Sequence, residues 1–267
     1  MQNGSIRTAI AFSEPDSGSD AAGIHTRAVR HGDGGGDAWI ISGQKVYVTN
    51  AHEADYLIVS VKTDPDAGRR GLSLFMVDTA QSGLVTRPID PLGSRPTLLN
   101  EVFFDDVPIP GNRLLGEVNG GWQALMHGLN LERILIAAAA GSCIKIIEVA
   151  QNFVRDRRAF GKNISEFQAV SHKFADMRML METARLVTYR TADMLDAGAD
   201  AVTETAIAKV VATENNFKAA DLGMQVMGAA GYVQGDMQRQ FREARMGLIG
   251  GGTSEILRNV IAKRMDI

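Results

Sequence analysis

Between residue 6 and about residue 106, apolar positions come in short runs or alternate with polar ones, and turn-forming residues separate the runs. Residues 7–12, 24–30, 38–41, 45–48, 56–62, 72–77, 84–88 and 101–104 each read as a strand, because a period of two puts alternate side chains on one face. The separators at 32–37 (GDGGGD), 42–43 and 63–71 (TDPDAGRRG) carry turn and loop chemistry. Seven or eight short strands at this spacing predict an antiparallel barrel or sandwich.

From Trp122 onward the pattern is helical, with candidates at 122–160, 165–197, 202 to about 229, 237–246 and 253–265. Met177, Met179, Leu180, Met181, Ala184 and Val187 follow a spacing near 3.6, and the methionines read as core filling. Between the two regimes, residues 105–121 hold Pro108, Pro110, Gly111, Gly116, Gly120 and Gly121. They read as a connector, since proline interrupts both ladder and helix hydrogen bonding. Long helices with short connections predict an antiparallel bundle. The expected fold class is α+β: an antiparallel β-barrel or sandwich domain at 1–115, then a C-terminal helical bundle at 116–267, with a crevice between such units a favoured ligand position.

Composition adds exclusions. A chain of 267 residues can bury a sizeable core, and a formal charge of -3 gives no reason to expect nucleic acid or an anionic membrane as partner. Cys143 is the single cysteine, so no disulfide framework or thiolate metal cluster forms within one chain, and a structural thiol is the reading. The N-terminus lacks the pattern of a secretory leader, and no run of about 18 uncharged apolar residues predicts a membrane span. The expected compartment is reducing and aqueous, namely the cytoplasm.

Candidate chemistry centres on LNLERILIAAAAG, where Glu132 stands at the head of an apolar run. Partial desolvation would raise its proton affinity toward the range of a general base. An exposed Glu paired on an amphipathic helix is the alternative. Four further stretches are unusual, and each has an ordinary reading as a turn or helix end. FSEPDSGSD at 12–20 is a loop dense in hydroxyls, and RDRRAFG at 155–161 gathers arginines at a helix end. QVMGAAGY at 225–232 lets backbone approach closely at Gly228 and Gly231. GGGTSEILR at 250–258 is a glycine loop feeding a helix with Thr253 or Ser254 as N-cap, a place where unpaired N–H groups can meet an anion.

Taken in order, and with DDVPIPGNRLLGEVNGGW and RRAFGKNISEFQAVSHKFADM, these motifs resemble the acyl-CoA dehydrogenase family of flavoproteins over nearly the whole chain, from Ala9 to Ile261. The resemblance implies a helical N-terminal domain, a middle β domain and a C-terminal bundle that bind FAD and oxidise an acyl-CoA thioester to the 2,3-enoyl-CoA. The chain begins where the family's middle domain begins, so the N-terminal helical domain is expected to be absent. Phe12, Ser13 and Ser19 match the loop that meets flavin and thioester. Tyr47, Val48 and Thr49 match a segment that usually reads Trp-Ile-Thr and covers one flavin face; Tyr keeps the aromatic surface. Arg157, Phe160 and Gln168, and likewise Gln225, Gly228 and Ala229, match positions that reach a neighbouring subunit's FAD. Gly252, Thr253, Ser254 and Glu255 match the turn that finishes the flavin site.

One departure from the family pattern directs the choice of base. Many members read Tyr-Glu-Gly-Thr at the last turn and use that Glu, whereas here Gly250 and Gly251 precede Gly252-Thr253. A second branch, similar to isovaleryl-CoA and long-chain dehydrogenases, supplies the carboxylate from the Leu-Glu-Arg helix, which corresponds to Glu132. The resemblance therefore implies Glu132 as base and the Gly251 N–H as donor to the thioester oxygen, with Ser19, Asn130 and Arg133 on the substrate side and no metal. It also implies an acyl-CoA substrate, an electron acceptor such as an electron-transfer flavoprotein, and a homo- or hetero-oligomer. A non-catalytic or truncated flavin-binding partner subunit is the alternative reading.

Overall fold

The alternation of the first hundred residues is realised, in a computed structural model describing residues 3–32, 38–139, 141 and 143–267, as one mostly antiparallel eight-stranded sheet. Its strands are β1 (Thr8–Ala11), β2 (Arg27–His31), β3 (Ala38–Lys45), β4 (Tyr56–Lys62), β5 (Leu72–Asp78), β6 (Leu84–Ile89), β7 (Leu99–Pro110) and β8 (Leu114–Leu115). They lie in the order β6-β7-β3-β2-β4-β5-β8, with β1 parallel to β4. Ala11, Trp39, Ile41, Leu57, Val59, Val61, Phe75, Val77, Val102 and Val107 form the heart of the core.

Three local expectations change. Residues 45–48 do not form a strand of their own: β3 continues through Ser42-Gly43, where a bulge replaces the expected turn, and ends at Lys45. The connector begins later than expected, because β7 runs through Pro108 and Pro110, paired with Ile40 and Ala38 of β3. Proline is tolerated because β6 pairs only as far as Phe104, and the Pro108 carbonyl faces the Gln81 amide rather than β3. In extended backbone the nitrogen lies on the same side as its own carbonyl, where no ladder needs a donor. The third change is β8, a two-residue strand inside the expected connector that pairs with β5. The glycine-rich turn at 32–37 lies outside the described residues apart from Gly32.

The chain divides into Met1–His127 and Gly128–Ile267. The helices are α1 (Gly121–Ala139), α2 (Cys143–Asp156), α3 (Gln168–Asp196), α4 (Val202–Met227), α5 (Ala229–Tyr232), α6 (Asp236–Gly247) and α7 (Ser254–Lys263). The helix expected at 122–160 ends at Asp156, and Arg158–Ala159 and Lys162–Asn163 pair as a short hairpin, β9 and β10. By length and composition a stretch within Gly121–Asp156 would also pass as a membrane span. Gly121–Asp156 contains Glu132 and Arg133.

Helix α4 is the hub of the second unit, packing against α2, α3, α6 and α7. Alanines at 206, 208, 212, 219 and 220 keep it slim enough for neighbours on several sides. Helices α3 and α4 run antiparallel, since Thr191 meets the Glu204 carbonyl near the turn and Asn215 meets the Leu180 carbonyl farther along both. Met177, Met181 and Met237 fill the core beside Cys143 and Ile146, while Met179 is 60% exposed. Cys143 is buried, its thiol pushed up to about 11 by burial, and donates to Asn216.

Candidate functional site

In the second unit, α1 puts two successive residues in opposite environments. The 3.6 period turns Arg133, Ile134 and Ala137 inward, where Ala137 packs with Ala184, Ala208 and Ala212. Glu132 lies on the outer side with Leu131 and Leu135, which are 48% and 68% exposed. Although Glu132 is exposed, neighbouring atoms displace enough of its hydration to raise its pKa above the ordinary carboxylate value, against the pull of Arg133 and Lys209. This matches the direction expected for a base.

Arg133 is buried and donates Nε to the Gly251 carbonyl at 3.0 Å and a terminal nitrogen to Asn130 Oδ1 at 2.9 Å. Arg133, expected on the substrate side, has a guanidinium that ties α1 to the glycine turn. Lys209 of α4 reaches the same turn, with Nζ 2.8 Å from the Gly252 carbonyl. Burial and Arg133 push its amine down to about 8, while Glu132, Glu214 and Glu255 oppose that shift. Gly251 has φ +67, in the left-handed region, and a Cβ there would lie 2.7 Å from Ile136 Cδ1. Thr253 is the N-cap of α7, accepting from the Ile256 N–H at 3.2 Å, with Ser254 buried and Glu255 exposed.

The remaining candidates of this unit form two exposed groups. Arg157, Phe160 and Gln168 surround the β9/β10 hairpin: the Arg157 carbonyl accepts from Ile164, and Phe160, 94% exposed, meets Phe167 edge-on. Gln168 begins α3 directly after Phe167. Gln225, Gly228 and Ala229 lie where α4 gives way to α5. The missing side chain at Gly231 is required inside the chain, because a Cβ would press on Met224 and Met227 at 3.0–3.2 Å. Among the described residues no hydrogen bond, ion pair or ring contact joins either group to Glu132 or Gly251.

In the first unit, Phe12–Ser13 and Tyr47–Thr49 are brought together. The Val46 N–H donates to the Ser13 carbonyl at 2.9 Å, and Lys45 Nζ reaches the Phe12 carbonyl at 3.1 Å. Val46 and Val48 point into the core, so Tyr47 and Thr49 point out. Tyr47 is 62% exposed with φ +59, an uncommon conformation for a large aromatic. The segment is held without ladder pairing: Val48 donates to the Asn100 carbonyl at 3.0 Å and the Asn100 amide donates back to Val48 at 3.0 Å. Ser19 is exposed in the following loop.

The sequence reading missed the groups that brace these segments. Lys45 and Glu14 form a buried ion pair at 2.8 Å, and Glu14 also accepts from the backbone of His25 and Thr26. The signals were present: Lys45 adjoins VYV, and Lys209 stands alone in AIAKVVA, just as Glu132 stands in its apolar run.

Two family models match the chain, the acyl-CoA dehydrogenase middle domain over residues 9–107 and the acyl-CoA dehydrogenase C-terminal domain over 119–266. Among similar proteins, cyclohex-1-ene-1-carbonyl-CoA dehydrogenase of Geobacter metallireducens is 34% identical over 97% of this chain and 68% of its own length. The mitochondrial short-chain specific acyl-CoA dehydrogenase of Homo sapiens is 36% identical over 95% of this chain, which spans 61% of that protein. The butyryl-CoA dehydrogenase structure from Megasphaera elsdenii superposes with a TM-score of 0.94 at 30% identity, covering 99% of this chain and 69% of that one. With the five motifs, the β unit and the helical unit all in agreement, the chain belongs to the acyl-CoA dehydrogenase family.

Proposed function

We propose that this chain carries out the FAD-dependent oxidation of an acyl-CoA thioester to the trans-2,3-enoyl-CoA, with Glu132 as the base that removes the α-proton. The observation that carries this reading is the placement of Glu132, a carboxylate of raised proton affinity on an exposed apolar helix face, one residue from the arginine that holds the glycine turn. The Gly251 N–H is the proposed donor to the thioester oxygen, so loss of a side chain at that turn leaves the oxyanion donor in place. Leu131 and Leu135 flank Glu132 and offer apolar surface to an acyl chain.

The residues present suit FAD. Tyr47 and Thr49 face outward from a segment fixed at both ends, which suits a planar ring on one face and a hydroxyl donor beside it. Arg157 is an exposed guanidinium of the kind that pairs with a pyrophosphate. Phe12, Ser13, Ser19 and Val48 are the further candidates of the first unit for FAD, and Gly252, Thr253, Ser254 and Glu255 those of the second. Arg157, Phe160, Gln168, Gln225, Gly228 and Ala229 would meet the cofactor of a second copy, which makes an oligomer part of the reading. FAD, when bound, supplies the two-electron acceptor for the β-hydrogen. An electron-transfer flavoprotein is the proposed acceptor beyond it.

The test is Glu132→Gln in the full chain. Anaerobic acyl-CoA should bleach the yellow wild type and leave the equally yellow variant oxidised. In wild type the rate of bleaching should fall as pH drops through a value above the ordinary carboxylate range, because only ionised Glu132 accepts a proton. Normal bleaching by Glu132→Gln removes the assignment, and a yellow wild-type chain inert to every acyl-CoA supports a partner subunit instead.

A further inference from the structure

Lys209 sits in an alanine- and valine-rich stretch of α4 with no exposed surface. Burying an ammonium is costly unless something specific receives it, and here Nζ donates to the Gly252 carbonyl at 2.8 Å. Arg133, from a different helix, donates to the Gly251 carbonyl at 3.0 Å. Two buried cations thus hold two successive carbonyls of one turn. In a trans peptide the carbonyl and the next N–H point in opposite directions, and there is no cis bond among the described residues. The N–H groups of Gly252 and Thr253 must therefore face away from the cations. Among the described residues, no acceptor meets the N–H of Gly251, Gly252 or Thr253.

We propose that Lys209 is a positioning residue for the acyl-CoA reaction: together with Arg133 it fixes the two peptide planes that follow Gly251, and so fixes the side on which Gly252 and Thr253 present their N–H groups beside the proposed Gly251 donor. This rests on the reading of Glu132 and Gly251 as the reacting pair. A point charge with a flexible stem suits the task, since one carbonyl needs one donor. The charged groups around Lys209 come from three helices: Glu132 and Arg133 on α1, Glu214 on α4, and Glu255 on α7. Glu214 is paired with Arg258 at 2.7 Å, and Arg133 holds its own carbonyl, so Glu132 is the carboxylate whose balance with Lys209 bears on the proposed chemistry.

The chain contains a single Gly–Thr step, Gly252–Thr253. Labelling glycine at its carbonyl carbon and threonine at its nitrogen therefore yields one carbonyl–amide correlation that reports the peptide Lys209 holds. In the FAD-loaded full chain, titration from about pH 6 to about pH 11 should move this correlation with a midpoint near 8, where the buried amine loses its proton. Lys209→Met should displace the correlation, abolish its titration and slow flavin reduction by about tenfold or more, with FAD retained. A correlation that stays flat across the titration in wild type overturns the proposal, and so does a Lys209→Met variant whose correlation is unmoved and whose reduction rate is within about twofold. If Lys209→Met does not fold, the wild-type titration decides alone. Glu132→Gln separates the two ideas: normal flavin reduction in that variant removes the base assignment and leaves the Gly252 titration standing.

Discussion

Arg133 Nε donates to the carbonyl of Gly251 at 3.0 Å, joining residues 118 apart in the chain. The helix that carries the proposed base and the turn that carries the proposed oxyanion donor are held together by one buried side chain. Arg133→Met should lower the unfolding free energy by about 2–6 kcal/mol, since the Asn130 oxygen and the Gly251 carbonyl both lose their donor at about 1–3 kcal/mol each. Urea unfolding measures this. Arg133→Lys should recover part of the stability but less of the flavin reduction rate, because an ammonium cannot span both acceptors in fork geometry. Equal recovery of both would reduce Arg133 to a packing element.

The crowding at Gly251 bears on any transplant of the base. Gly251→Glu places a non-glycine residue at φ +67 and drives its Cβ to 2.7 Å from Ile136 Cδ1. The double change Glu132→Gly with Gly251→Glu should therefore be destabilised, by roughly 1–3 kcal/mol from backbone strain before packing is counted. Adding Ile136→Val deletes the obstructing methyl group. The triple variant should melt higher and reduce flavin faster than the double; a triple variant no better than the double would show that Ile136 is not the obstacle.

In the first unit, Lys45→Met should be among the most damaging single changes, because it strands a buried carboxylate. Breaking a buried pair costs about 3–5 kcal/mol, and Glu14 is 5% exposed. Its pH dependence is a signature. In wild type, Lys45 and backbone donors outweigh burial and hold the Glu14 pKa below the ordinary value. The stabilisation from ionised Glu14 is thus complete above the ordinary carboxylate range and is lost as pH falls through the lowered pKa. In Lys45→Met burial dominates and the pKa rises, so the variant's deficit is largest near neutral pH and narrows in acid. Chemical denaturation at both pH values measures the gap; a deficit independent of pH would mean the pair is not the cause.

Tyr47 offers a test of strain kept for binding. An exposed aromatic at φ +59 contributes little to the core, and glycine adopts this conformation without penalty. Tyr47→Gly should leave the melting temperature of the cofactor-free chain unchanged or slightly raised while weakening FAD binding by about tenfold. Unaltered FAD affinity in a folded variant would remove Tyr47 from the cofactor site.

The two regimes of the fold, strand then helix, are written in local periodicity. Seven of the eight strand segments expected from it coincide with or overlap observed strands over two residues or more, because alternate residues really do face one buried side, and 45–48 shares only Lys45 with β3. The hydrogen bonds beyond the segment were not legible. Residues 45–48 alternate like a strand, but beyond Lys45 they are held by Ser13 and Asn100 rather than by a ladder, and Pro108 and Pro110 read as breaks yet sit where one strand edge has no neighbour. Helical propensity continues through RDRRAF, so the pattern alone carries the helix to 160, while the hairpin that follows Asp156 depends on pairing with Lys162–Asn163.

By itself, then, the sequence determined the segregation of sheet from helices and which motifs stand at which positions, since both depend on near neighbours in the chain. It also singled out Glu132, because a lone charge in an apolar run is visible locally. Tertiary structure alone decided which distant groups meet that charge. Arg133 emerged as the tie to Gly251, and Lys209 and the Lys45–Glu14 pair as braces, because the partner of a buried charge is chosen by packing rather than by spacing along the chain.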